Sequence, residues 1–174
     1  DADALVRQLQ RAGTPVYAAI VAEFGPDVLR PDGEIDRAKL GALVFSNPAA
    51  LQQLEAIVHP AVGQEIEKRL CALRPLASDL RIVVVIEAIK LIEAGLHKQC
   101  HALWVVTSRP EVQRERLILS RGMSEADARL RIVAQPPQAD KAALADVLIE
   151  NNGTLAELGA RVMEHWQQVV THAI

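Results

Sequence analysis

The chain has 174 residues, half of them hydrophobic, with a net charge of −3 and 3% aromatic side chains. That length suits one domain with a small appendage and a sizeable core, and the apolar runs fall far short of a membrane span. The acidic balance and the few aromatic platforms for bases argue against nucleic acid or an anionic membrane as partner.

In chain order, the first 75 residues read as nearly all helix. Asp3 is expected to cap a helix over residues 4–12, which Gly13 and Pro15 end. A second helix follows over residues 15–24, closed by Gly25-Pro26, and PDGE at 31–34 is a turn. Asp36 caps a helix carrying Leu40, Leu43 and Val44. Asn47-Pro48 starts another with Leu51, Leu54, Ile57 and Val58 on one face. His59-Pro60 reads as a stop and restart, with a further helix carrying Val62, Ile66 and Leu70.

Three valine- and isoleucine-rich runs without polar alternation then predict strands: residues 81–86, 102–107 and 146–150. Such runs suit strands buried on both faces of a parallel sheet. Helical patterns separate the last two, so the connection is a long right-handed α crossover and the fold class is α/β. A helix over 110–121 ends at Arg121-Gly122, and Ser124 with Asp127 starts a second over 124–134, broken by Pro136-Pro137. ENNGT follows the last strand, and Thr154 with Glu157 has the capping-box spacing for a final helix.

Several groups carry chemistry. Six of the 19 basic residues are arginines between Arg109 and Arg131, and no lysine occurs between Lys98 and Lys141. They read either as a solvated helix face paired with Glu111, Glu115, Glu125 and Asp127, or as a hinged flap bringing forked guanidinium groups onto a polyphosphate. Asp1 and Asp3 are an N-cap or supply a base for a hydroxyl acceptor. Glu87 and Glu93 follow the first predicted strand, where open α/β sheets bind ligands; surface charge is the other reading. His59 is a helix cap or a ligand contact, and ENNGT is a plain turn or a rest for an adenine edge through Asn152. The two cysteines and five histidines show no metal-ligand spacing, so no metal-binding residues are expected. The opening residues give no secretory pattern, and inert thiols suit a cytoplasmic protein. Starting at DADALVRQL without methionine, the sequence is expected to be a fragment or a processed chain.

The stretches DADALVRQL, GTPVYAAIVAEFG, DGEIDRAKLGALVF, LEAIVHP, IEAIKLIEAGL, VQRERLILSRGMSEADARLRIVAQ and ADVLIENNGT occur in this order over nearly the whole chain. In content and order they resemble dephospho-CoA kinases. The resemblance implies a P-loop-kinase-like parallel sheet flanked by helices, with a helical acceptor-binding insertion (1–75), an α/β core (76–108 and 144–174) and a small arginine-rich lid (109–143). It implies ATP, Mg2+ and dephospho-CoA as small-molecule substrates and cofactor, and says nothing of oligomeric state.

Carried over by residue, Asp3 resembles the base and Arg131 the foremost catalytic lid arginine. Arg37, His59 and Glu93 resemble acceptor-binding residues. Arg116, Arg121, Gln135, Asn152 and Gly153 resemble contacts to ATP and its phosphates. Two departures matter. IEAIKLIE stands where the family has D-x-P-L-L-F-E, placing Glu87 and Lys90 at unusual positions. The family's phosphate loop, GxxGxGKS/T, belongs ahead of DAD, and residues 1–174 contain no glycine-rich equivalent. A chain of these residues alone is therefore expected to be catalytically crippled. The alternatives are a non-catalytic binder of CoA-like ligands and a related small-molecule kinase with another acceptor.

Overall fold

The computed structural model describes residues 1–74 and 82–172, without the side chains of 170–172. They divide into two compact units, Asp1–Leu96 and His97–Ile174.

In the first unit, α1 (Ala2–Leu9), α2 (Pro15–Phe24), α3 (Arg37–Ser46) and α4 (Pro48–Leu73) enclose one apolar core. Leu5, Val16, Ile20, Leu40, Val44, Val58, Val62 and Ile66 are buried there, each stabilising by roughly 1.5–3 kcal/mol. Thr14, Asp36 and Asn47 cap α2, α3 and α4 by accepting backbone N–H bonds, the last two at the helix starts that the sequence predicts. Gly33, at φ 83°, turns the chain so that Leu29 bridges Ile35 in antiparallel fashion.

Three expectations fail here. The cap of α1 is Asp1, whose Oδ1 accepts from the Ala4 N–H at 2.9 Å, so Asp3 lies inside the first turn. Pro60 does not restart a helix, because α4 runs unbroken for 26 residues with Pro60 inside it. Proline removes one helical hydrogen bond and costs about 3 kcal/mol. Val58 and Val62, buried on either side, offset that cost by keeping both halves on the same core. The described part of the predicted strand 81–86 is not a strand; Arg81 lies outside the described residues. Residues 82–88 join no ladder, and Val83, Val84 and Val85 are exposed. A strand exists only beside a hydrogen-bonding partner, and among the described residues β1 pairs only with β2.

The second unit holds β1 (Trp104–Thr107), α5 (Pro110–Arg121), α6 (Glu125–Val133), α7 (Gln138–Ala142), β2 (Val147–Glu150) and α8 (Leu155–His172). β1 and β2 pair in parallel from Trp104↔Val147 to Thr107↔Glu150, the crossover that the two apolar runs predict. Val105 and Ile149 are buried, whereas their ladder partners Leu148 and Val106 are exposed, so each face of the pair is covered over one strand only and the expected burial of both strands on both faces is not met. Trp104 meets the ring of His165 on α8 edge-on, at a centroid distance of 6.2 Å. Gly122 ends α5 in the left-handed region at φ 63°. Ser124 caps α6, and Thr154 and Glu157 form the predicted reciprocal capping box of α8. No helix among the described residues is long and apolar enough to cross a membrane.

Candidate active site

Each unit carries part of the candidate chemistry. In the second, the carboxyl ends of both strands open on a concavity of about 300 Å3 lined by Ser108, Arg109, Gln138, Glu150 and Asn152, among others. Ligands of open α/β sheets bind at this end of the strands.

A dense set of hydrogen bonds fixes its walls. Arg116, half-buried on α5, donates through Nη1 to the Asn151 carbonyl at 2.9 Å. Its Nη2 donates to Asn151 Oδ1 at 3.1 Å and to the Gly153 carbonyl at 2.9 Å. Lysine lacks the planar two-nitrogen fork that this pattern uses. The Ser108 hydroxyl donates to the Asn151 carbonyl at 2.6 Å, and the Arg109 N–H donates to Asn152 Oδ1 at 2.8 Å. Gln138 closes the floor: its Oε1 accepts from the Ser108 N–H at 3.1 Å and its Nε2 donates to the Ser108 carbonyl at 3.0 Å. On α8, Arg161 donates to the Glu150 carbonyl at 2.6 Å.

The capping box holds the far side of the turn. Glu157 accepts from the Thr154 N–H and hydroxyl, and these bonds depress its carboxyl pKa below the ordinary 4.5, with Arg161 adding a smaller pull. A side chain at Gly153 would overlap the Glu157 carboxylate, so glycine here keeps room for the cap.

Beyond this turn, α5 and α6 present the other arginines. Arg114 pairs with Glu125 at 2.9 Å. Arg121, Arg129 and Arg131 are exposed, and their guanidinium groups have no hydrogen-bond or ion-pair partner among the described residues. Glu111 and Glu115, which a solvated face would pair with them, take no ion pair either. Gln135 is exposed just after α6.

In the first unit, Asp3 is exposed in the first turn of α1. Asp1 takes the capping bond and pairs with Arg7 at 3.5 Å, which leaves the Asp3 carboxylate unbonded among the described residues. Arg37, the first residue of α3, is exposed and lines a smaller concavity with Gln10, Arg30, Glu34, Ile35 and Asp36. Neither His59, half-buried in the middle of α4, nor the exposed Glu93 lines it. Lys90 forms an ion pair with Glu55 on α4, which accounts for the charge at that unusual position.

The structure thus joins Arg116, Asn152 and Gly153 in one bonded turn, while Arg121, Arg131 and Gln135 lie outside that network. Sequence reasoning missed Ser108, Gln138 and Asn151. Ser108 directly follows the last residue of β1, the one signal that pointed to it.

Parallel strands ending in a polar crevice, with an arginine-bearing helix pair after the first of them, are the architecture of a P-loop-type kinase. The sequence model described as dephospho-CoA kinase matches residues 1–157. The chain belongs to the dephospho-CoA kinase family. It is 44% identical to the dephospho-CoA kinase of Symbiobacterium thermophilum over 167 residues, covering 96% of this chain and 69% of that one. With that of Geobacter sulfurreducens it shares 42% over 166 residues, covering 95% and 83%. A crystal structure from Thermus thermophilus superposes with a TM-score of 0.76 at 27% identity, covering 97% of this chain and 82% of that one. The dephospho-CoA kinase of Campylobacter jejuni shares the fold at a TM-score of 0.65 and 22% identity, covering 99% and 85%.

Proposed function

We propose that these residues serve the transfer of the ATP γ-phosphoryl group to the ribose 3′-hydroxyl of dephospho-CoA, giving coenzyme A and ADP. In this reading residues 1–75 serve the acceptor, 76–108 and 144–174 form the core, and 109–143 act as the lid. In this reading the protein works in the cytoplasm.

The observation that carries this reading is the set of uncompensated guanidinium groups on α5 and α6. Among the described residues, Arg121, Arg129 and Arg131 keep their donors free although carboxylates share their helices. Such groups gain most when a polyphosphate arrives and charge spreads over its oxygens. Arg131 and Arg121 meet the transferring phosphates. Arg116 serves the nucleotide through the turn that it clamps, where Asn152 and Gly153 flank the base, and Gln135 closes the lid motif.

In the transfer, Asp3 accepts the proton of the 3′-hydroxyl as its oxygen attacks the γ-phosphorus and ADP leaves. A carboxylate without a capping duty is available for that role. Arg37, His59 and Glu93 hold the acceptor. The described residues include no group of three or more His, Cys, Asp or Glu side chains that could hold a metal ion. Magnesium enters as part of the MgATP substrate, since this hard cation keeps several waters and binds through substrate phosphates.

The test is a coupled ADP-release assay on a polypeptide extended through a phosphate loop, offered dephospho-CoA or nucleoside monophosphates. Turnover with dephospho-CoA alone is expected. Preference for a nucleoside monophosphate would point to another acceptor, and dephospho-CoA binding without turnover to a binding module.

A further inference from the structure

The two ends of the arginine-bearing segment meet at one residue. Ser108, the first residue after β1, has its backbone N–H, its carbonyl and its hydroxyl all engaged. Gln138, the first residue of α7, takes two of these groups. Its Oε1 accepts from the Ser108 N–H at 3.1 Å, and its Nε2 donates to the Ser108 carbonyl at 3.0 Å. Gln113, at the start of α5, donates through Nε2 to the same carbonyl at 2.7 Å. A carbonyl oxygen has two lone pairs, and both are taken. The Gln138 amide fits in one orientation only, because turning it over would set N–H against N–H and oxygen against oxygen.

Ser108 passes this constraint to the wall of the concavity. Its carbonyl and the Arg109 N–H belong to one planar peptide, so bonds that hold the carbonyl also fix the direction of that N–H. The Arg109 N–H donates to Asn152 Oδ1 at 2.8 Å. Asn152 is thereby held by its oxygen. Its Nδ2, which reaches Glu150 Oε2 only at 3.5 Å, keeps a donor for a base. Pro136 and Pro137 restrict the chain just ahead of Gln138. Ser108 and Gln138 are half-buried and line the concavity. Water there can replace a lost bond without unfolding the strand end, but a water does not hold a peptide plane at a set angle.

We propose that Gln138 is a positioning residue for the nucleotide: through the Ser108–Arg109 peptide it sets the direction of the Asn152 amide, and so the affinity for ATP. Gln113 holds the same carbonyl from the other end of the segment. The proposal rests on the reading above in which the turn at Asn152 meets the base.

Steady-state kinetics of Gln138→Met and Gln138→Glu, in a polypeptide that includes a phosphate loop, test it. Methionine keeps the length and loses both bonds. It should raise KM for ATP about tenfold, the scale of one or two neutral hydrogen bonds, whatever the pH. Both kcat and KM for dephospho-CoA should stay within about twofold of the parent, because only binding of the donor is altered. In Gln138→Glu the introduced carboxylate accepts from the Ser108 N–H but faces the Ser108 carbonyl without a proton. Once protonated, it donates there and restores the pair. The ratio of its KM for ATP to the parent's should therefore be about tenfold at about pH 8 and fall as the pH is lowered towards about pH 5. Arg109 and Glu150, the charged residues that line the concavity with Gln138, are common to both proteins and cancel in the ratio. A ratio independent of pH, or an unchanged KM for ATP in Gln138→Met, overturns the proposal while the kinase reading stands. Equal losses for ATP and dephospho-CoA overturn it as well, and make Gln138 a prop of the fold. If the parent phosphorylates no dephospho-CoA, the kinase reading falls and takes the proposal with it.

Discussion

Arg116 Nη2 donates to the Gly153 carbonyl at 2.9 Å across 37 residues of sequence, tying α5 to the turn after β2. The same guanidinium also holds Asn151 through its carbonyl and its side-chain oxygen. Arg116→Lys keeps the charge and loses the fork. Hydrogen bonds from a charged donor contribute about 1.5–3 kcal/mol, so the variant should lose on the order of 2 kcal/mol in chemical denaturation. Unchanged stability would show that the turn holds without the clamp.

Asp3 and Arg131 separate chemistry from stability, because both are exposed and without hydrogen-bond partners among the described residues. In a polypeptide that includes a phosphate loop, Asp3→Asn should cut turnover by about 10²-fold or more. Dephospho-CoA affinity should stay within about twofold, since the acceptor keeps its other contacts. Arg131→Ala should slow transfer by about 10³-fold, the scale of an arginine that meets transition-state charge. Both variants should melt at the parent temperature. Near-normal turnover in either would remove that residue from the reaction.

Local rules were legible where a polar side chain precedes an apolar run. Asp36, Asn47, Ser124 and the Thr154–Glu157 pair all cap as expected, because capping involves residues only a few positions apart. Asp1 and Asp3 are equivalent by that rule, and only the backbone register shows which one caps. Pro60 was misread because the stabilisation that carries α4 through it comes from α1, α2 and α3, which no window around residue 60 contains. The valines at 83–85 have strand composition, but a strand exists only where a ladder partner does. In the candidate site, the arginines stood out by number. Gln138 and Asn151 did not, since their role lies in contacts with Ser108 and Arg116 across 30 and 35 residues.

Glu157 makes the turn after β2 sensitive to acid. Bonds from Thr154 hold its carboxyl below the ordinary 4.5 in the folded chain. A depressed folded-state pKa contributes stability that is present above the unfolded value and is lost as pH falls through the folded one. The melting temperature should therefore fall between about pH 5 and pH 3 partly through this group. Glu157→Gln should melt lower than the parent at pH 7, and the gap should narrow towards pH 3. A gap that is constant across the range would show that the cap acts through shape alone.

Residues 1–174 contain no GxxGxGKS/T segment, and their nine glycines are scattered. Arginines and a base can stabilise and initiate transfer. Neither replaces a cradle of backbone N–H groups that holds the β- and γ-phosphates in line with the attacking hydroxyl. Positioning of this kind supplies roughly 7–11 kcal/mol of a bimolecular barrier, far more than the free guanidinium groups can recover. A polypeptide of these 174 residues alone should therefore release no ADP above background when given MgATP and dephospho-CoA. The same polypeptide preceded by a strand, a GxxGxGKS segment and its helix should turn over, and replacing the lysine of that segment by alanine should return it to background. Sustained turnover by the 174-residue polypeptide would mean that the phosphates are held by residues within it, with the Ser108–Arg109 end of β1 the first place to look.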